Sequence, residues 1–154
     1  MGMHASAYLM YGYDLGGAEE GWKIEEAGEY GEWEPEWAED AGDPMGSVDD
    51  VLLRSVGFTE TDWRVDGYFD RERAAKERLG VEVSSYGYHE SASWMLTTKT
   101  IRGEDYGADA FDPAELLSLP AANGWDEKLR DALNTLGITP TQEAPSWFFV
   151  SNYG

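Results

Sequence analysis

Cysteine is absent from this chain of 154 residues. That absence removes disulfides, Cys-ligated zinc, iron–sulfur clusters and a thiol nucleophile. Histidine is nearly absent, represented by His4 and His89 alone. His89 stands beside Glu90 and Ser91, but three consecutive residues do not face one another as a catalytic triad does. No apolar run approaches the roughly 18–20 residues that a membrane span needs. The N-terminus has neither a basic n-region nor an apolar h-region, so the expectation is a cytoplasmic protein. Met1–Ser6 fits the permissive myristoylation pattern, yet an acidic chain is repelled by anionic lipid. No H-E-x-x-H, P-loop, dinucleotide fingerprint or EF-hand occurs, and no catalytic, cofactor-binding or metal-ligating residue is assigned.

Positive charge is scarce. Eleven Lys and Arg face thirty-one Asp and Glu, giving a net charge of -20 and a pI near 4.1. Direct binding of nucleic acid is disfavoured, because it depends on Lys and Arg neutralising phosphates. Basic protein partners are favoured, through steering that fades with salt. Hydrophobics at 42% and aromatics at 14% argue for a folded chain in spite of this charge.

The acids are unevenly spread. Residues Asp14 to Asp50 hold fourteen of them with one base, Lys23, and so carry -13 of the total charge. Interleaved are Trp22, Tyr30, Trp33 and Trp37. Five glycines and a proline from Gly16 to Pro35 break any long helix, and residues 14–46 read as a long loop with a brief edge strand at Trp22–Ile24. Two readings compete for it. In the first, the loop is solvated, Trp22, Trp33 and Trp37 are core anchors, and some Glu pair with the basic second helix. In the second, Glu25, Glu26, Glu29, Tyr30, Glu32, Trp33, Glu34, Glu36, Trp37, Glu39 and Asp40 form a surface that binds a basic protein.

Along the rest of the chain, Ala7–Tyr11 reads as a buried strand ended by Gly12 and Asp14. Ser47 caps a short helix closed by Gly57, and Thr61–Asp62 opens a second that reaches Leu79 with Gly80 beyond it. That second helix holds five of the eleven bases. Val81–Tyr88 and Trp94–Ile101 alternate with period two and form a hairpin. Asp112–Pro113 starts a helix ending before Pro120. Asn123 caps the clearest helix, with Trp125, Leu129, Ala132, Leu133 and Leu136 on one face and Gly137 at its end. Trp147–Val150 reads as a continuously buried strand. The order β-α-α-β-β-α-α-β predicts an α+β domain: a four-stranded, mostly antiparallel sheet, about four helices on one face, and both terminal strands inside the sheet. Leu79-Gly80-Val81 and Leu136-Gly137-Ile138 fit either a duplicated half or simple helix capping.

Gly12–Gly17 is similar to the Asp-x-Gly-Gly phosphate turn of the sugar-kinase and actin superfamily. A chain of 154 residues cannot supply the rest of that fold, so the stretch is read as a glycine turn leaving a strand. Over nearly its full length the chain resembles small acidic proteins encoded by actinobacteria and their bacteriophages. YGYDLGG, GFTETDWR, GWDEKL and the closing tryptophan strand with Tyr153-Gly154 carry the likeness. The resemblance implies a host-cytoplasmic, phage-encoded context and brings no activity, site or cofactor.

The expectation is a non-enzymatic acidic protein that binds a basic partner. Its sharpest form is a DNA-mimic-type inhibitor of a nucleic-acid-binding enzyme; an immunity-type protein against a basic toxin is another. The alternatives are a small enzyme using carboxylates with a divalent metal, and a structural accessory protein that forms a homo-oligomer through the basic helix.

Overall fold

A computed structural model describes residues 5–40, 42–103 and 107–153. His4 and Met1–Gly2–Met3 lie outside these residues, as does the side chain of His89. The chain runs β1 (Ala5–Gly17), β2 (Gly21–Trp22), α1 (Val48–Ser55), α2 (Tyr68–Leu79), β3 (Glu82–Tyr88), β4 (Ser93–Arg102), α3 (Pro113–Asn123), α4 (Trp125–Leu136) and β5 (Ser146–Tyr153). Short 3-10 turns occupy Pro44–Ser47 and His89–Ser91. The α+β class and four helices are as expected, but the sheet has five strands, not four. The added strand, β2, overlaps the brief edge strand expected at 22–24 only at Trp22, and Ile24 adds an isolated bridge to Pro140.

β1 is the centre of the sheet. It pairs antiparallel with β4 along Tyr8–Gly16 and with β5 along Ala5–Gly12. β4 pairs with β3, and β3 meets the end of β5 in a short parallel contact at Gly87–Asn152 and Tyr88–Tyr153. The sheet therefore curls on itself until β3 and β5 touch. Two register shifts in the β1–β4 ladder, at Tyr11/Gly12 and Asp14/Gly16, help it bend.

Curling gives the sheet two apolar sides. On the outer one, Tyr11, Leu15, Leu96 and Val81 pack with Val48 and Leu52 of α1 and with Leu129, Ala132, Leu133 and Leu136 of α4. A smaller cluster of Met10, Met95 and Val150, flanked by Tyr8, Tyr86 and Phe148, fills the other. α2 is a second layer: Ala75 packs with Leu53 of α1 and with Phe58. α3 buries no residue fully.

Several element boundaries differ from the sequence reading. β1 does not stop at Gly12 but continues to Gly17. Gly12 sits against the β4 backbone, where a Cβ would lie 1.9 Å from the Leu96 carbonyl oxygen, so its role is close approach and not a turn. α2 begins at Tyr68, after Gly67 at φ 76°, because that left-handed residue interrupts the helix that Thr61–Asp62 would have opened. α3 continues through Pro120 to Asn123, and Gly124, not Asn123, occupies the N-cap of α4. Ser47 is the N-cap of α1, but its hydroxyl accepts from Glu39 N at 3.1 Å and makes no capping bond. The run Trp147–Val150 is not continuously buried: Phe149 is 76% exposed, since β5 has an outer side here. Gly80 and Gly137 both end helices at φ 68° and 67°, so capping accounts for the two similar junctions.

Candidate functional site

The acidic stretch is tied down along its length. β1 and β2 form a tight hairpin in which Lys23 N donates to Leu15 O at 2.9 Å. Glu25 N then donates to Thr139 O at 2.8 Å and Thr141 N to Lys23 O at 2.9 Å, so the segment after β2 is stitched to the loop following α4. Ile24 is buried beside this seam. The three tryptophans form an edge-to-face stack, Trp22 on Trp33 at 4.9 Å and Trp33 on Trp37 at 5.7 Å between ring centres. Trp33 is buried, and Trp37 Nε1 donates to Leu136 O at 2.8 Å at the C-terminal end of α4. That bond satisfies one of the carbonyls a helix end leaves open.

The eleven residues nominated from sequence separate into groups. Trp33 is interior and Trp37 half-buried, so they anchor the segment. Glu26, Glu32 and Asp40 are exposed but their carboxylates accept from the chain's own backbone, at Thr139 N, Tyr30 N and Gly42 N. Glu25, Glu29, Glu34, Glu36 and Glu39 are exposed, and no hydrogen bond to their carboxylates is found among the described residues. Tyr30, 90% exposed, stands among them.

Among the described residues, no ion pair joins the basic helix to the loop at 14–46. Among the described residues the salt bridges join Lys23 to Asp14, Arg64 to Asp62, Arg73 to Asp70 and Lys76 to Glu72. Three of these lie in the segment 62–76, where Arg64, Arg73 and Lys76 each pair with an acid two to four residues away and not with the loop.

Asp14 has a structural post that the sequence did not reveal. Its carboxylate accepts from Lys23 Nζ at 2.5 Å, Tyr86 OH at 2.7 Å and Gly16 N at 3.0 Å. Burial alone would raise its pKa, but these donors outweigh burial and hold the carboxyl below its ordinary value. The Asp-x-Gly-Gly stretch is thus the end of a strand with its carboxylate occupied.

Clefts also lie away from the acidic loop. One, of about 380 Å³, sits between α1, α2, β3 and β4, where Leu53, Leu79, Val81 and Val83 are accompanied by Asp49, Lys76 and Glu82. Burial pushes the Asp49 carboxyl up, against the pull of Lys76. Another, of about 670 Å³, is bounded by Tyr11, Trp147, Leu117, Pro120 and Ala121, with Asp126, Glu127 and Arg130 beside them. Here Tyr11 OH donates to Asp126 Oδ1 at 2.5 Å. Among the described residues no group of three His, Asp or Glu is placed to hold a metal ion, and no helix is long and apolar enough to cross a membrane.

Compared with protein-family models, curated proteins and solved structures, the chain matches none. Its functional reading therefore rests on its own residues.

Proposed function

We propose that the exposed carboxylates of Glu25, Glu29, Glu34, Glu36 and Glu39, with Tyr30 among them, bind a basic protein partner. The observation that carries this reading is that, among the described residues, no ion pair joins the acids of the anchored stretch 25–40 to the chain's own cations. A segment pinned by a tryptophan stack and two backbone seams loses little conformational freedom on binding, which favours affinity. The partner's Lys and Arg would meet carboxylates, and Tyr30 supplies an aromatic contact of the kind enriched at binding hot spots. Long-range attraction from the net charge of -20 would speed the encounter.

The narrower form is a DNA-mimic-type inhibitor, in which the partner is a nucleic-acid-binding enzyme. It requires that duplex DNA and this chain compete for one site. The test is salt-dependent capture of a partner on the immobilised chain, followed by competition with duplex DNA. Release by DNA supports the inhibitor form; capture that DNA leaves intact supports a different basic partner. Failure to retain any partner at low salt contradicts the proposal as a whole.

A further inference from the structure

α3 has an unusual surface. Its sequence, PAELLSLPAAN, carries one charge in eleven residues, yet none of its side chains is fully buried. Leu116, Leu119 and Pro120 are half-buried, while Ala114, Leu117 and Ala121 are exposed at spacings of three and four. A stripe of that spacing ordinarily faces the core; here it faces solvent. Leu117 is 71% exposed, and Phe111, just before the helix, 62%. Leu117 and Ala121 also border the 670 Å³ cleft, whose floor is aromatic, from Tyr11 and Trp147. The result is an apolar groove along α3 that continues into an aromatic recess.

We infer that this groove docks a cationic amphipathic segment of a partner protein, an apolar side chain entering the recess while flanking Lys or Arg meet the rim. The charge of the surroundings fixes the occupant. Residues 107–131 hold six acids, among them Asp112, Glu115, Asp126 and Glu127, against Lys128 and Arg130. An acidic or neutral apolar segment would have to approach this rim on a chain of net charge -20, whereas a basic one is drawn to it. A second copy is a poorer occupant. Its exposed apolar segment, with Trp63, Val65 and Phe69, is flanked by as many acids as bases over residues 62–78 and is borne on an equally acidic body. Apolar anchors set in a groove by a charged segment are a recurrent mode of helix recognition.

The inference rests on the basic-partner reading for the sign of the charge and on the groove for the anchor. The two surfaces are separable: Trp37 marks the loop at the C-terminal end of α4, and the groove lies at its N-terminal end, with a helix of roughly 18 Å between them.

The test is an NMR titration of the full chain with a synthetic Leu/Lys amphipathic helical peptide, and with the same peptide carrying Ser in place of Leu. The expected result is that the Leu/Lys peptide shifts the amides of Leu117 and Ala121 and the Trp147 indole, and that the Ser peptide does not. Leu117→Asp should weaken the Leu/Lys peptide about tenfold, the scale of a lost hot spot, with an unchanged melting temperature because the side chain is exposed. A variant with Glu25, Glu29, Glu34, Glu36 and Glu39 changed to Gln should keep the groove shifts. Equal shifts from both peptides, shifts confined to residues 25–40, or none at the groove up to about 1 mM peptide overturn the inference. So do groove shifts that appear on raising the concentration of the chain alone, which would identify a second copy as the occupant. Loss of the loop reading would appear instead as unchanged capture of a basic protein by the Gln variant.

Discussion

Tyr86 OH donates to Asp14 at 2.7 Å, joining the end of the central strand β1 to β3 across the curled sheet. The bond matters at both ends of the pH scale. Burial, strengthened by the bond to Asp14, pushes the Tyr86 phenol up to about 12. A raised folded value means full stability below the unfolded phenol's pKa of about 10 and loss as pH rises from there toward 12. Alkaline denaturation followed by tryptophan fluorescence should fall in that window, and Tyr86→Phe should flatten it.

On the acid side Asp14 has a folded pKa below its ordinary value. Its contribution is present above the unfolded carboxyl's pKa and is lost as pH falls through the folded one. Asp14→Asn should remove that acid dependence. It should also destabilise the chain at neutral pH by about 1–3 kcal/mol, by weakening a part-buried, charge-assisted network with Lys23 and Gly16, readable in urea unfolding.

Gly12 is held by close approach, not by an unusual φ. A methyl group there would lie 1.9 Å from the Leu96 carbonyl oxygen and 3.0 Å from Thr97 Cα, both backbone atoms of β4. Gly12→Ala should therefore destabilise by about 3 kcal/mol, the upper range for overpacking. Gly21→Ala is the contrast: nothing lies within 4 Å and the strain is that of φ 102° alone.

Thr97 is fully buried, and its hydroxyl has no hydrogen-bond partner among the described residues. An unsatisfied buried hydroxyl costs about 1–3 kcal/mol. Thr97→Val keeps the shape, removes the hydroxyl and suits a strand, so the variant should be more stable by about 1 kcal/mol.

Much of the scaffold could be read from periodicity and caps. The hairpin of β3 and β4 and the apolar face of α4 are strong local patterns, and Trp125, Leu129, Ala132, Leu133 and Leu136 are all buried as the spacing requires. The length of β1 was not legible, because Gly12, Gly16 and Gly17 look like a turn; they serve a strand whose neighbours press too close for side chains. α3 was misjudged at Pro120, a helix breaker that here remains inside the helix, and the outward direction of its Ala114–Leu117–Ala121 stripe depends on tertiary packing that no local pattern encodes. In the acidic stretch, sequence could pick out the tryptophans as candidate anchors. It could not show that Glu26, Glu32 and Asp40 turn back onto the backbone, or that Arg64, Arg73 and Lys76 pair with acids of their own segment.

The most direct test of the acidic surface compares two variants that lose the same charge in different places. One changes Glu25, Glu29, Glu34, Glu36 and Glu39 to Gln; the other changes Glu19, Asp66, Glu77, Glu90 and Asp131 to their amides, all ten being exposed. The measurement is the affinity of each for the captured basic partner across a salt series. The first variant should bind about tenfold more weakly or worse, with a shallower salt dependence, while the second stays near the parent. Equal losses in the two variants would contradict the account, because they would show that net charge alone, and not the surface held by Trp22, Trp33 and Trp37, draws the partner.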